Sequence, residues 1–369
     1  MKASNVSHLT VVGDLFVEAK ATGWDDSRFR AAIAPLAGGG YRVGNLDHGL
    51  GSPGPLHTDK PDVFRGESTV ASELRELGFD CVSLANTHSG DYGPEALSRT
   101  HQLLAGEGIQ TMGVGASVDA AFASRITLVG GLRVAWIGAL AEATPPAHTT
   151  RSPAEGEWGA AVIRGHAVTE SQGAGELLHF KPDEQALTRL EGSIAQARAS
   201  ADVVAVMLHV HWPRDWKRPQ KGYTIPYRAV DAGADLVFCH GSHRVEPVEA
   251  YGGRLIFHGL GNFFFQLPVE HPERLPARSL APIERVWSNK ELWHGLVVEV
   301  PLAVGRPPTE ARILPVQNSR TPGRIGWPQV AKPAAAAEIL RCLSPLESAR
   351  TPLIVAADWP YSHVSIQAN

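Results

Sequence analysis

The run His8-Leu-Thr-Val-Val-Gly-Asp14 decides how the rest of the chain reads: an apolar, β-branched stretch breaks at Gly13 and delivers a carboxylate at its end. That is the pattern of a buried strand leading into a turn. It recurs. Tyr41-Arg-Val-Gly-Asn45-Leu-Asp47, Phe79-Asp-Cys-Val-Ser-Leu-Ala85 with Asn86 and His88 behind it, Val203 to His211, and Leu236 to His240 are all apolar runs that end in groups able to bind a ligand. Helical spacing marks Glu67 to Leu77, Pro94 to Glu107 and Asp183 to Ala201, and further strands are expected at 110–114, 126–129, 134–140, 245–251, 254–258, 296–304 and 311–316. Ala334 to Ala337 reads as helix and 352–358 as a late strand, while 142–158 and 265–290 read as long functional loops. Strands and helices that alternate and then give way to crowded strands predict an α/β protein with its site at the carboxyl ends of strands.

The composition is that of a chain able to bury a core: 369 residues, 43% hydrophobic and 20% charged. One elaborated domain over 1–369 is expected, with a motif core at 8–265 and C-terminal strands and a helix at 291–369. The net charge is −4 with no long basic run, which excludes nucleic acid as a partner. The apolar run at Leu9 to Val12 is too short for a signal peptide or a membrane span, so a cytoplasmic protein with no membrane partner is expected. Cys81, Cys239 and Cys342 are too few and too scattered for a disulfide framework and read as buried thiols. The 16 histidines stand out, because imidazole both ligates metals and carries protons near neutral pH.

Asp14, Asn45, Asp47, Asn86, His88, His209, His211, His240 and His243 thus form a set of metal-ligand types at strand ends. His209 and His211 share one face of their strand, and Gly241-Ser242 supplies the turn that separates His240 from His243. Taken singly, Asp14, Asp47, Asn86 and Asp91 could each be a cap or turn residue. It is their joint recurrence that argues for a metal site.

The segments Val-Val-Gly-Asp14, Gly-Asn-Leu-Asp47, Leu-Ala-Asn86-Thr-His88-Ser-Gly-Asp91-Tyr-Gly, His211-Trp-Pro-Arg-Asp-Trp216, Cys-His240-Gly-Ser-His243 and Gly-Leu-Gly-Asn262-Phe resemble, in order over residues 8–265, the successive signatures of the CapA group. These are poly-γ-glutamate-capsule-type proteins of the calcineurin-like metallophosphatase superfamily. The resemblance implies a four-layer α/β/β/α sandwich. It implies metal ligands at Asp14, Asp47, Asn86, His211, His240 and His243, and an acid/base role for His88 oriented by Asp91. Phosphatases of the superfamily carry D-x-H after the first strand, and here Phe16 stands in place of the histidine. One divalent ion is therefore expected rather than two. Carboxylates favour Ca or Mn, whereas imidazoles would suit Zn, Fe or Ni.

Within that group the chain resembles the soluble peptide epimerases of lasso-peptide biosynthesis, which invert the α-carbon of a precursor's C-terminal tryptophan. That resemblance implies a precursor peptide as substrate, His88 with Asp91 on one face of the α-carbon, and a second histidine, His243 or His294, on the other. His209, Trp212 and Trp216 are expected to line the substrate site, although core packing would explain the tryptophans as well. A metal-dependent phosphoesterase and a non-catalytic peptide-binding protein with a vestigial site are the alternatives.

Overall fold

The computed structural model describes residues 7–18, 27–37, 40–51, 56–57, 60, 63–142, 150–154, 156–172, 175–211, 224–266, 287–343, 353–358 and 360–366. Two large sheets dominate. In the first, strand Ser7–Phe16 lies between the antiparallel His294–Leu302 and the parallel Tyr41–Leu46, followed outward by Cys81–Ser83 and Gln110–Met112. In the second, Leu132–Glu142, Val203–His211, Leu236–His240 and Arg254–Phe257 run parallel, side by side.

Residue alternation explains the layering, since successive side chains on a strand point to opposite faces. Leu9, Val11 and Val43 of the first sheet and Trp136, Ala205, Met207 and Phe238 of the second belong to one buried cluster between the sheets. Their neighbours face outward. Val12 and Leu15 pack with Phe29, Leu36, Leu74, Leu97 and Leu104, on helices Ser27–Ala37, Val70–Glu76 and Gly93–Gly106. Val204, Val206 and Leu208 pack with Leu187, Leu190 and Ile194 of helix Glu184–Arg198 and with Ile225 and Ala229 of helix Thr224–Asp231. The order is helices, sheet, sheet, helices, so the protein is a mixed α/β fold, as its patterning predicts.

Local chemistry sets the helix ends. Asp183 caps its helix by accepting from the Ala186 N–H at 2.9 Å, and Pro94 sits in the first turn of helix Gly93–Gly106 where its missing N–H costs nothing. Helix Pro333–Arg341 covers the alanine run. The expectation that the first strand ends at Gly13-Asp14 is corrected: the strand continues to Phe16 through an irregularity in its pairing on either side of Asp14. A Cβ on Gly13 would lie 1.9 Å from the Gly261 carbonyl oxygen, and the Asp14 N–H donates to that same oxygen at 2.9 Å. Gly13 is thus required by close backbone approach, and the bulge beside it aims Asp14 into the gap between the sheets. Hairpin Val162–Gln172/Gly175–Pro182 and helices Ser27–Ala37, Val118–Phe122 and Thr224–Asp231 go beyond the elements expected from pattern. Pro35 stands inside the first of those helices, where pattern reading would end a helix.

Candidate metal and acid/base centre

Asp14 is the hub. It is fully buried where the carboxyl ends of the parallel strands of both sheets converge. Asn45, its partner on the neighbouring strand, donates to Asp14 Oδ1 at 2.8 Å, and His243 Nδ1 lies 2.9 Å from Oδ2. His209 and His240 face each other in register on their adjacent strands, and their Nδ1 atoms stand 3.1 Å apart, so one donates and the other accepts. Donor atoms of Asp14, His209 and His240 lie within 4.8 Å of one another, as do those of Asp14, Asp47 and His243.

The turn after His240 is held by steric and polar contacts. Gly241 has φ +96°, and a Cβ there would meet the His209 ring at 2.7 Å. Among the described non-glycine residues only His243 has positive φ, +56°, a conformation that costs about 1–2 kcal/mol. Its ring nitrogen is shared between Asp14 and Asn262 Oδ1, the latter at 3.2 Å. Strain of this kind persists where surrounding contacts over-determine it, as at functional sites.

The electrostatics suit a cation. Burial raises the Asp14 carboxyl, but the hydrogen bond and charge of His243, the charge of His240 and the Asn45 amide bring it below its ordinary value. Burial lowers His243, yet Asp14, Asp47 and Asn262 lift it to about 9. Asp47, buried and close to the charge of Asp14, is raised to about 7, while burial drops His240 to about 4. Both Asp47 carboxylate oxygens and His240 Nε2 are buried with no hydrogen-bond partner among the described residues. Buried polar atoms are ordinarily paired, so two carboxylates and nearby imidazoles with orphaned donor atoms fit a divalent ion.

Beside this group lies an imidazole–carboxylate pair. His88 Nδ1 is 2.7 Å from Asp91 Oδ2, as the i, i+3 spacing allows, and both side chains are buried. Phe16 joins the two regions: its ring centroid is 6.1 Å from that of His88 and 5.4 Å from that of His243, with Phe64 and Phe265 packed edge-on against it.

The remaining expectations resolve unevenly. Asn86 Nδ2 donates to Asn45 Oδ1 and the Leu46 carbonyl, while its Oδ1 accepts from the N–H groups of His88 and Ser89 and from Ser89 Oγ. Its amide is saturated by loop contacts, so in this geometry it orients the His88 loop instead of offering a ligand atom. His209, assigned above to substrate, stands in the candidate ligand group. His211 ends its strand, but its side chain, like all of Trp212 and Trp216, lies outside the described residues. His294 opens strand His294–Leu302; burial lowers it, and the charges that bear on it are Glu338, Lys290, Arg320 and Glu291. Sequence reasoning missed Lys60, whose Nζ donates to Asp91 Oδ1 at 2.8 Å, and His48, whose Nε2 accepts from the Val17 N–H at 3.0 Å. No local pattern marks either one.

Residues 8–267 match the family described as bacterial capsule synthesis protein PGA_cap. A polyglutamine synthesis accessory protein of Mycobacterium tuberculosis is 30% identical over 59% of this chain and 53% of its own length. The capsule biosynthesis protein CapA of Bacillus anthracis is 25% identical over 70% of this chain and 59% of its own, and the PGA biosynthesis protein CapA of Bacillus subtilis 27% over 65% and 57%. The chain therefore spans a little over half the length of these relatives. A hypothetical protein of Thermus thermophilus overlays with a TM-score of 0.40 at 13% identity, over 87% of this chain and 97% of that one. Among the described residues no helix is long and apolar enough to cross a membrane. With the family signatures matched over most of its length, the chain belongs to the bacterial capsule synthesis protein family PGA_cap.

Proposed function

We propose that this protein is a cytoplasmic, metal-dependent peptide epimerase, built on the calcineurin-like α/β/β/α sandwich, that inverts the α-carbon of the C-terminal residue, a tryptophan, of a ribosomally made lasso-peptide precursor. The observation that carries the reading is that two imidazole–carboxylate pairs, His88–Asp91 and His243–Asp14, meet on the Phe16 ring. Epimerisation needs a base on one face of the α-carbon and an acid on the other. Asp14, Asp47, His240 and His209 would hold one cation, Ca or Mn by the weight of the carboxylates. When bound, that ion supplies positive charge against the enolate-like charge of the deprotonated substrate.

The chain's own groups do the rest. Asp91 accepts the His88 Nδ1 proton and so leaves Nε2 as the lone pair that removes the α-proton. In this reading His243, paired with Asp14 through Nδ1, is the acid that returns a proton to the carbon. The C–H bond broken is replaced by a C–H bond of opposite configuration, and His88 then loses its proton to water while His243 regains one from it, so no other reactant is consumed. Phe16, Phe64 and Phe265 keep water away from the reacting face.

The test is deuterium uptake at the C-terminal α-carbon of a tryptophan-ended peptide in D₂O, with Ca or Mn and with a chelator. Uptake with D-tryptophan formation, lost on chelation and in His88→Ala, is the expected result. No uptake with any divalent ion sinks the reading, and turnover of a chromogenic phosphate ester in the same preparation would replace it with a phosphoesterase.

A further inference from the structure

Lys60 is buried, and its ammonium reaches two groups of the His88 loop: Asp91 Oδ1 at 2.8 Å and the Thr87 carbonyl. The other Asp91 oxygen faces His88 Nδ1 at 2.7 Å. Nearby, the His57 N–H donates to the Asp91 carbonyl at 2.8 Å, so the two segments are tied together through backbone as well as side chain. The carboxylate is itself only 1% exposed.

We propose that Lys60 is a positioning residue for proton transfer at His88, a role that rests on the acid/base reading of His88 given above. A buried carboxylate with a single partner can turn about its terminal torsion and present either oxygen. Lys60 removes that freedom: it occupies Oδ1 with a charge-assisted hydrogen bond and leaves Oδ2 for the imidazole. In the neutral imidazole, Nδ1 then carries the hydrogen and Nε2 is the lone pair. The same ammonium's contact to the Thr87 carbonyl fixes the loop immediately before His88, so ring orientation and tautomer are set by one side chain. Lysine does this as a compact point charge with several donors, and a neutral isostere such as methionine fills the space without either hydrogen bond.

Lys60→Met and Lys60→Arg in the full chain test this, with the ¹⁵N shifts of the His88 ring and the deuterium-uptake kinetics as independent readouts. The expected result is a wild-type His88 in the Nδ1–H tautomer, mixed tautomers in Lys60→Met, kcat down about 10- to 100-fold with KM little changed, and partial recovery of both in Lys60→Arg, the scale seen when an outer partner of a working imidazole is lost. A Lys60→Met protein that keeps the wild-type tautomer overturns the proposal. So does one whose loss of kcat only follows its loss of folded protein in a thermal melt, with no recovery in Lys60→Arg. If wild-type protein exchanges no deuterium with any metal, the epimerase reading fails, and the ¹⁵N comparison still decides whether Lys60 sets the state of His88.

Discussion

His243 Nδ1 lies 2.9 Å from Asp14 Oδ2, although 229 residues separate them, and it does so from a left-handed backbone conformation. The contact holds the turn after His240 against the first strand and gives Asp14 a cationic partner. His243→Asn should be more stable than His243→Ala by about 1 kcal/mol, because asparagine tolerates that conformation and alanine does not. Chemical denaturation checks this. If His243 returns the proton, both variants lose about 100-fold or more in deuterium-linked inversion while His294→Ala loses far less. The reverse ranking moves the role to His294.

Asp47, raised to about 7 with both oxygens orphaned, should couple cation binding to pH. A proton and a cation compete for the same carboxylate, so affinity is full above about 7 and falls as pH drops through it, at about tenfold per unit. Calorimetric titration with Ca or Mn at about pH 8 and about pH 6 measures the difference. Asp47→Asn should weaken binding by at least about tenfold at the higher pH and flatten the pH dependence.

In the resemblance to the metallophosphatases, Phe16 stands where those phosphatases carry the histidine of D-x-H. On the one-ion reading proposed above, Phe16→His should raise the metal content from one ion per chain toward two and produce measurable hydrolysis of bis-p-nitrophenyl phosphate. Its ring is 3% exposed and packs on five others, so the change costs about 2–3 kcal/mol of stability. Elemental analysis of the purified variant decides it; unchanged stoichiometry would mean that more than this side chain separates the site from a two-metal centre.

Burial pushes the Cys81 thiol up to about 12 and moves Cys239 in the same direction. Because these folded-state values lie above the ordinary thiol value of 9.0, stability is full below pH 9 and is lost as pH rises toward 12, where the unfolded chain ionises first, at about 1.4 kcal/mol per pH unit for each thiol. Cys81→Ala should reduce that slope in alkaline denaturation. In the native protein at about pH 8, iodoacetamide should label the half-buried Cys342 well before Cys81 or Cys239.

Much of the frame is visible in local pattern. Apolar, β-branched runs such as 203–208 and 236–239 read as buried strands, and groups such as Asp47, His88 and His240 fall at or just after the ends of runs of this kind. The His88–Asp91 pair is legible for the same reason, since three residues of loop suffice to bring the two together. The amphipathic helix with Leu187, Leu190, Ile194 and Ala197 on one face is also local.

What the sequence determined by itself was therefore the α/β class, the strand ends that carry polar groups, and a set of carboxylates and imidazoles of metal-ligand type. Periodicity reports which face of an element is buried, never what it is buried against. Only the tertiary structure decided that His209 meets His240 across two strands, that Asn86 spends its amide on the loop instead of a ligand bond, that Asp14 turns inward on a bulge set by the Gly13–Gly261 approach, and that Lys60 backs Asp91. Each of these depends on sheet register, on close contact between segments far apart in the chain, or on loop hydrogen bonding, quantities that no window of sequence contains.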